Sequence, residues 1–160
     1  MTQTIGKMKF EDQIQQANFK NEFVKAVLNL KFSASWYNVK ELEIFKRHGI
    51  LAQHFNVLRI VKGAHPNAVS PGKILEVMID TGRDLTRLVD KLVKLGLLTR
   101  STCPSNRRRV DIHITEEGIA LTDKVSAEID IFLASLNGLT PEESNQLSNL
   151  LDKLRDGKSL

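Results

Sequence analysis

The run 70-SPGKILEVMIDTGRDLTRLVDKLVKLGLLTRSTCPSNRRRVDIHI-114 decides the fold. Ser70-Pro71 is a helix start, with serine as N-cap and proline at the first helical position. A short helix is expected from about Gly72 to Ile79. Thr81-Gly82 then makes a turn, and a second helix is expected from about Gly82 to Leu95. Thr81 and Asp84 form a variant capping box at its start, and Gly96 ends it. Two short strands follow, over about 97–102 and 109–114. Val110, Ile112 and Ile114 alternate with Asp111 and His113, the period of a half-buried strand. The loop between them runs through Pro104 and Asn106, and Arg107, Arg108 and Arg109 stand at the hairpin tip. Helix, turn, helix, hairpin is the order of a winged helix-turn-helix.

The second helix of this unit is two-faced. At 100° per residue, Leu85, Leu88, Val89 and Leu92 share one side, and Arg83, Arg87, Asp90 and Lys94 the other. In a helix-turn-helix the second helix enters the major groove of DNA, led by its N-terminal residues. Arg83, Thr86 and Arg87 are therefore the expected base readers, since arginine pairs bidentately with guanine. Lys73, Lys91 and Lys94 are expected phosphate contacts. Arg107, Arg108 and Arg109 would lie along the adjacent minor groove, whose negative potential attracts arginine. Taken singly, a charged helix face or an arginine run is most often a solvated surface. Within 45 residues of one another, the three features point to DNA.

Charge is distributed accordingly. The 160 residues carry a net +4. Between Thr81 and Arg109, eight basic residues against two acids leave +6; from Thr115 onward, nine acids against four bases leave −5. A basic middle and an acidic C-terminal third suggest one surface for a polyanion and another for a different partner.

The flanks read as helices. Residues from about Glu11 to Phe45 contain no Pro or Gly, and Phe19, Phe23, Val27 and Leu30 recur at helical spacing. This is one long helix or two, ended by His48-Gly49. Residues 50–64 follow, with Leu51, Phe55, Leu58 and Val61 on one face, closed by Pro66. Thr115 caps a long helix to about Leu136, broken at Asn137-Gly138. Thr140-Pro141-Glu142-Glu143 is a full capping box. Leu121, Val125, Ile129, Phe132 and Leu136 form one apolar stripe, and Leu147, Leu150, Leu151 and Leu154 another. Each needs a partner surface, either in the chain's own core or in a second copy.

The stretches 86-TRLVDKLVKLGLLTR-100 and 106-NRRRVDIHITEEG-118 resemble the MarR family of bacterial transcription regulators. The family pattern runs Thr-Arg, Leu, Gly-Leu, Arg through the recognition helix, then a wing of Asp-x-Arg and a closing Leu-Thr-x-x-Gly. Here Ile114-Thr115-Glu116-Glu117-Gly118 matches the closing piece, and Arg107 and Arg108 match the wing arginines. Asn106 stands where the family usually has Asp, a carboxylate that orients an arginine. The resemblance is specific over residues 70–118 and looser over the flanking helices.

It implies a mainly α-helical single domain: a winged helix-turn-helix lobe over residues 50–114 with a two-stranded β wing, and a helical dimerisation lobe over 10–47 and 115–156. It also implies a homodimeric repressor on double-stranded DNA, expected to be cytoplasmic because residues 1–16 lack a signal-peptide core. Its operator would be palindromic, with half-sites about one helical turn apart. The resemblance sets a small-molecule effector near Trp36, Tyr37, His54 and Arg59, with Arg59 facing an anion. Two alternatives keep the same fold: a protein-interaction module, and an architectural DNA binder without base readout.

Other chemistry is poorly supported. No run of about 20 apolar residues predicts a membrane helix, and residues 1–16 lack a signal-peptide core. One cysteine, Cys103, excludes an internal disulfide and fits a reducing compartment. Nearby arginines would favour its thiolate, but an unremarkable wing residue is the plainer reading. His48, His54, His65 and His113 form no zinc-type spacing, so no metal and no cofactor are expected. No nucleophile elbow or phosphate-binding loop predicts an enzyme.

Overall fold

The computed structural model describes residues 9–79, 84–103 and 106–157, and for 103 and 106–109 the backbone alone. The chain divides into two compact units, the first ending at Glu43 and the second beginning at Ile44.

In the first unit the expected helical stretch is two helices rather than one. Helix α1 is a single turn, Phe10–Gln13. Gln15 has a φ of 54°, a left-handed backbone that no α-helix tolerates. Helix α2, Glu22–Arg47, then starts afresh. Its start is fixed by Asn21, whose Oδ1 accepts the Val24 N–H at 2.8 Å, the usual side-chain cap. Phe19 therefore lies outside α2. It stacks on Phe10 at 5.9 Å, while Phe32 meets Phe10 edge-on at 5.7 Å. Lys25 pairs with Glu11. The break was invisible to periodicity because neither Gly nor Pro marks it; the cap at Asn21 was the available signal.

The second unit holds the winged helix. Arg47 ends α2, and Gly49 turns the chain at φ 66°. Helix α3 is Ala52–Ala64 and helix α4 is Pro71–Val77. Ser70 caps α4 as expected, accepting the Lys73 N–H, with Pro71 in the first turn. Helix α5 is Leu85–Lys94. Strands β1, Leu98–Cys103, and β2, Asn106–Ile114, pair antiparallel with Leu98 opposite Ile114 and Arg100 opposite Ile112. Val69 adds a bridge to Ile112 through both of its backbone groups, a rung that sequence reading missed. Helices α6, Glu116–Ser135, and α7, Pro141–Arg155, complete the chain.

Two apolar clusters hold this unit. One gathers Val57, Leu58 and Val61 of α3, Ile74 of α4, the apolar side of α5, and Leu98, Ile112 and Ile114 of the hairpin. The other joins Ile44, Phe45, Ile50 and Phe55 to Val125 and Ile129 of α6. The α6 stripe is thus spent inside the chain. Leu121 and Phe132 pack against the second cluster and Leu136 is half-buried, whereas Ile131 and Leu133 of α6 are exposed. Helix α7 is the opposite case: none of its residues is buried.

The α5–hairpin–α6 junction explains the Gly-Leu-Leu and Ile-Thr-x-x-Gly signatures. Gly96 adopts φ 73°, the left-handed helix stop that glycine takes without strain. Thr115 Oγ1 donates to the Gly96 carbonyl at 2.7 Å and accepts the Gly118 N–H at 3.0 Å. One hydroxyl therefore ties the end of α5 to the start of α6. A Cβ on Gly118 would collide with the Leu97 carbonyl and approach Ile114 Cγ1 to 2.7 Å, so only glycine lets α6 lie against the hairpin base.

Candidate nucleic-acid interface

Helix α5 carries the centre of the site. Leu85, Leu88, Val89 and Leu92 are buried, as their spacing predicts. Thr86, Arg87, Asp90, Lys91 and Lys94 are exposed. The start of the helix differs from expectation. It begins at Leu85, not Gly82, and its cap is Asp84, whose carboxylate accepts the Thr86 and Arg87 N–H groups at 3.0 and 3.3 Å. Asp84 is the cap because its own side chain satisfies the otherwise orphaned donors. Thr81, Gly82 and the expected base reader Arg83 lie outside the described residues.

Arg87 is the single arginine of the helix, its side chain 89% accessible, with Nε 3.2 Å from Asp84 Oδ2. An exposed pair of this kind is weak, so a phosphate or base can displace it. Lys91 and Lys94 stand in the last turn, where cations also favour the helix dipole. Lys73, on α4, is engaged by Glu76 at 2.7 Å.

The wing corrects a second expectation. Arg107 and Arg108 are not in the loop but in the strand with Arg109; β2 begins at Asn106, which pairs with Cys103. The next pair is Thr102 with Val110, so the three arginines are the residues inserted at a register shift. Such a bulge takes residues out of the ladder and bends the strand.

Asp90 links helix and wing. Its Oδ1 accepts from Arg100 Nη1 of β1 at 3.1 Å, with both side chains about half exposed. Sequence reading left this pair out, although Asp90 is the one acid between Leu85 and Lys94 and stands among cations, a signal in itself.

The four residues expected around an effector fall into both units. Trp36 and Tyr37 are on α2 in the first. Trp36 is exposed, and Tyr37 donates to Glu41 Oε1 at 3.0 Å. Burial, then that carboxylate, pushes the Tyr37 hydroxyl up to about 12. A shallow groove of about 430 Å³ along α2, between Lys31 and Leu42, includes neither aromatic. In the second unit His54 is buried, and its Nδ1 accepts the Leu51 N–H at 3.1 Å, capping α3. Burial, then the Lys91 charge, holds its imidazole below the ordinary value. Arg59 is exposed, its guanidinium 6.0 Å from the Phe55 ring centre. His54 is therefore committed to the helix start, and Arg59 alone of this pair faces solvent.

Elsewhere, Glu128 of α6 binds both Arg47, at 2.6 Å, and His48, at 2.8 Å. Hydrogen bonding from His48, then from Arg47, lowers the Glu128 carboxyl. Among the described residues, no group of three or more His, Cys, Asp or Glu is placed to hold a metal ion, and no helix is long and apolar enough to cross a membrane.

No family model matches the chain. Individual proteins do. It is 29% identical over 145 residues to the HTH-type transcriptional regulator YkoM of Bacillus subtilis, covering 88% of this chain and 93% of that one. It is 30% identical over 115 residues to the HTH-type transcriptional regulator PecS of Dickeya dadantii, covering 70% and 69%. Among solved structures, a mutant MarR from E. coli complexed with operator DNA is similar with a TM-score of 0.71 at 25% identity, covering 86% of this chain and 99% of that one. With the winged helix and its basic face in place, the chain belongs to the MarR family of helix-turn-helix transcription regulators.

Proposed function

We propose that the chain is a sequence-specific regulator that binds a palindromic operator as a homodimer and represses the adjacent promoter. The observation that carries the reading is α5: four buried apolar residues fix one side, and Thr86, Arg87, Lys91 and Lys94 stand exposed on the rest. Presented to a major groove, that side offers base readers near its N-terminus and phosphate contacts near its C-terminus. The arginines of the wing supply the minor-groove contact. Operator DNA in the complex of the E. coli relative supports the same partner here.

Dimerisation is supported by what the chain leaves uncovered. Leu147, Leu150 and Leu154 of α7 are exposed, as are Phe23, Leu30, Val39 and Leu42 of the first unit. Of the four residues expected to meet a small-molecule effector, Trp36 and Arg59 are exposed and Tyr37 is half-buried, while His54 is committed to the start of α3. Trp36 is the single tryptophan, so quenching of its fluorescence by aromatic acids tests for such a ligand.

The deciding experiment is fluorescence anisotropy on duplex from the gene's own upstream region, against scrambled duplex, at several salt concentrations. Tight, salt-sensitive binding that scrambled DNA does not compete away is expected. Equal binding to both duplexes would make the protein an architectural binder. No binding to any duplex, including those recovered by selection from a random pool, would favour a protein-interaction module.

A further inference from the structure

The exposed side of α5 contains one residue that a DNA-binding surface should avoid. Asp90 is half exposed among Arg87, Lys91 and Lys94. A carboxylate there repels phosphates and offsets part of the attraction its neighbours provide. What it does in return is visible in its partner. Arg100 lies opposite Ile112 in the hairpin, and directly opposed residues share a face. Ile112 is almost wholly buried, so Arg100 leaves β1 from the side of the hairpin that packs on α5. It meets Asp90 where the apolar rungs of Leu98 and Ile112 give way to the arginine bulge.

We infer that Asp90 is a positioning residue: by holding Arg100, it fixes the wing on the recognition helix, and so sets operator selectivity rather than raw affinity. This rests on the DNA-binding reading above. The pair fixes the angle between the element that meets the major groove and the hairpin that carries Arg107, Arg108 and Arg109. It also withholds the Arg100 charge from indiscriminate phosphate contact. Both effects favour the DNA on which helix and wing fit together, at the expense of other sequences.

The sign of one substitution tests this. The probes are a duplex enriched by the wild-type protein from a random pool and a scrambled duplex of equal composition. Asp90→Asn removes a negative charge, so electrostatics alone would tighten both complexes equally. Positioning predicts otherwise: binding to the enriched duplex weakens about two- to fivefold, the scale of one half-exposed ion pair, while binding to the scrambled duplex holds or tightens. Arg100→Gln should lose the same selectivity, the double variant no more than either single one, and Asp90→Glu should retain it. Equal tightening on both duplexes, with the selectivity ratio unchanged, overturns the inference. So does full additivity of the two substitutions. The wild-type arm reports on the DNA-binding reading by itself: a wild type that enriches no sequence removes that reading, and this inference with it.

Discussion

Gly118 shows how much one position can decide. It sits inside α6, where glycine is normally unfavourable by about 1 kcal/mol relative to alanine. Here alanine would be worse, because its Cβ would meet the Leu97 carbonyl and Ile114. Backbone cannot swing aside as a flexible side chain can. Gly118→Ala should therefore cost about 3 kcal/mol, the upper end for overpacking, read as a lower urea midpoint; an unchanged midpoint would mean that α6 does not lie against the hairpin base. His54 makes a residue-scale prediction in pH. Its folded pKa lies below the ordinary imidazole value because of burial and the Lys91 charge. The unfolded chain then takes up the proton first as pH falls. The stability His54 contributes is complete above about 6.5 and declines as pH drops from there towards the folded value. His54→Gln should flatten this decline in urea midpoints between pH 7 and 5. A decline equally steep in the variant would assign it elsewhere. Glu128 acts in a lower window: its depressed carboxyl contributes above the ordinary glutamate value and is lost as pH falls through its folded one.

At the scale of elements, the proposed complex divides reading and holding between α5 and the wing. Arg87→Ala should weaken operator binding roughly tenfold or more and relax preference at one base pair, as expected for a lost bidentate contact. Lys91→Ala should weaken binding to all duplexes alike and reduce the salt slope by about one. Anisotropy titrations at several salt concentrations separate the two, and a uniform loss for Arg87→Ala would move it from reader to phosphate contact. Arg108→Ala should also weaken operator binding; no change would remove the wing from the interface. These elements were largely legible in the sequence because each is written in local chemistry: Ser70-Pro71 for α4, Thr140 through Glu143 for α7, alternation for β2, the two-faced repeat for α5. What escaped was set by geometry that local rules do not carry. The bulge at Arg107, Arg108 and Arg109 is a matter of strand register, which no turn signal announces. Asp84 and Thr81 were both acceptable caps by composition, and which one serves depends on where the chain enters the helix. The Asp90–Arg100 pair spans two elements, and neither residue is unusual alone. The α6 stripe has the same period whether it faces its own core or another chain.

For the whole molecule, the burial pattern separates α6 from α7. Val125 and Ile129 of α6 lie in the chain's own core, whereas α7 exposes Leu147, Leu150 and Leu154 and buries nothing. A 15-residue helix is marginal in water by itself. Its full capping box helps, but an amphipathic helix normally needs its apolar side covered. In the proposed dimer a second copy covers it. Leu150→Glu then places a charge in the interface without touching either apolar cluster of the second unit. The variant should keep its helical content and drop to monomer mass by light scattering. Its operator binding should fall roughly a hundredfold or more, because two linked recognition helices act at an effective concentration that one helix lacks. Binding to a single half-site should change far less, since α5 and the wing are intact. A variant that stays dimeric would take α7 out of the interface and leave the exposed residues of α2 to hold the two copies together. A monomer that binds the full operator as tightly as the wild type would instead break the link between symmetry and recognition.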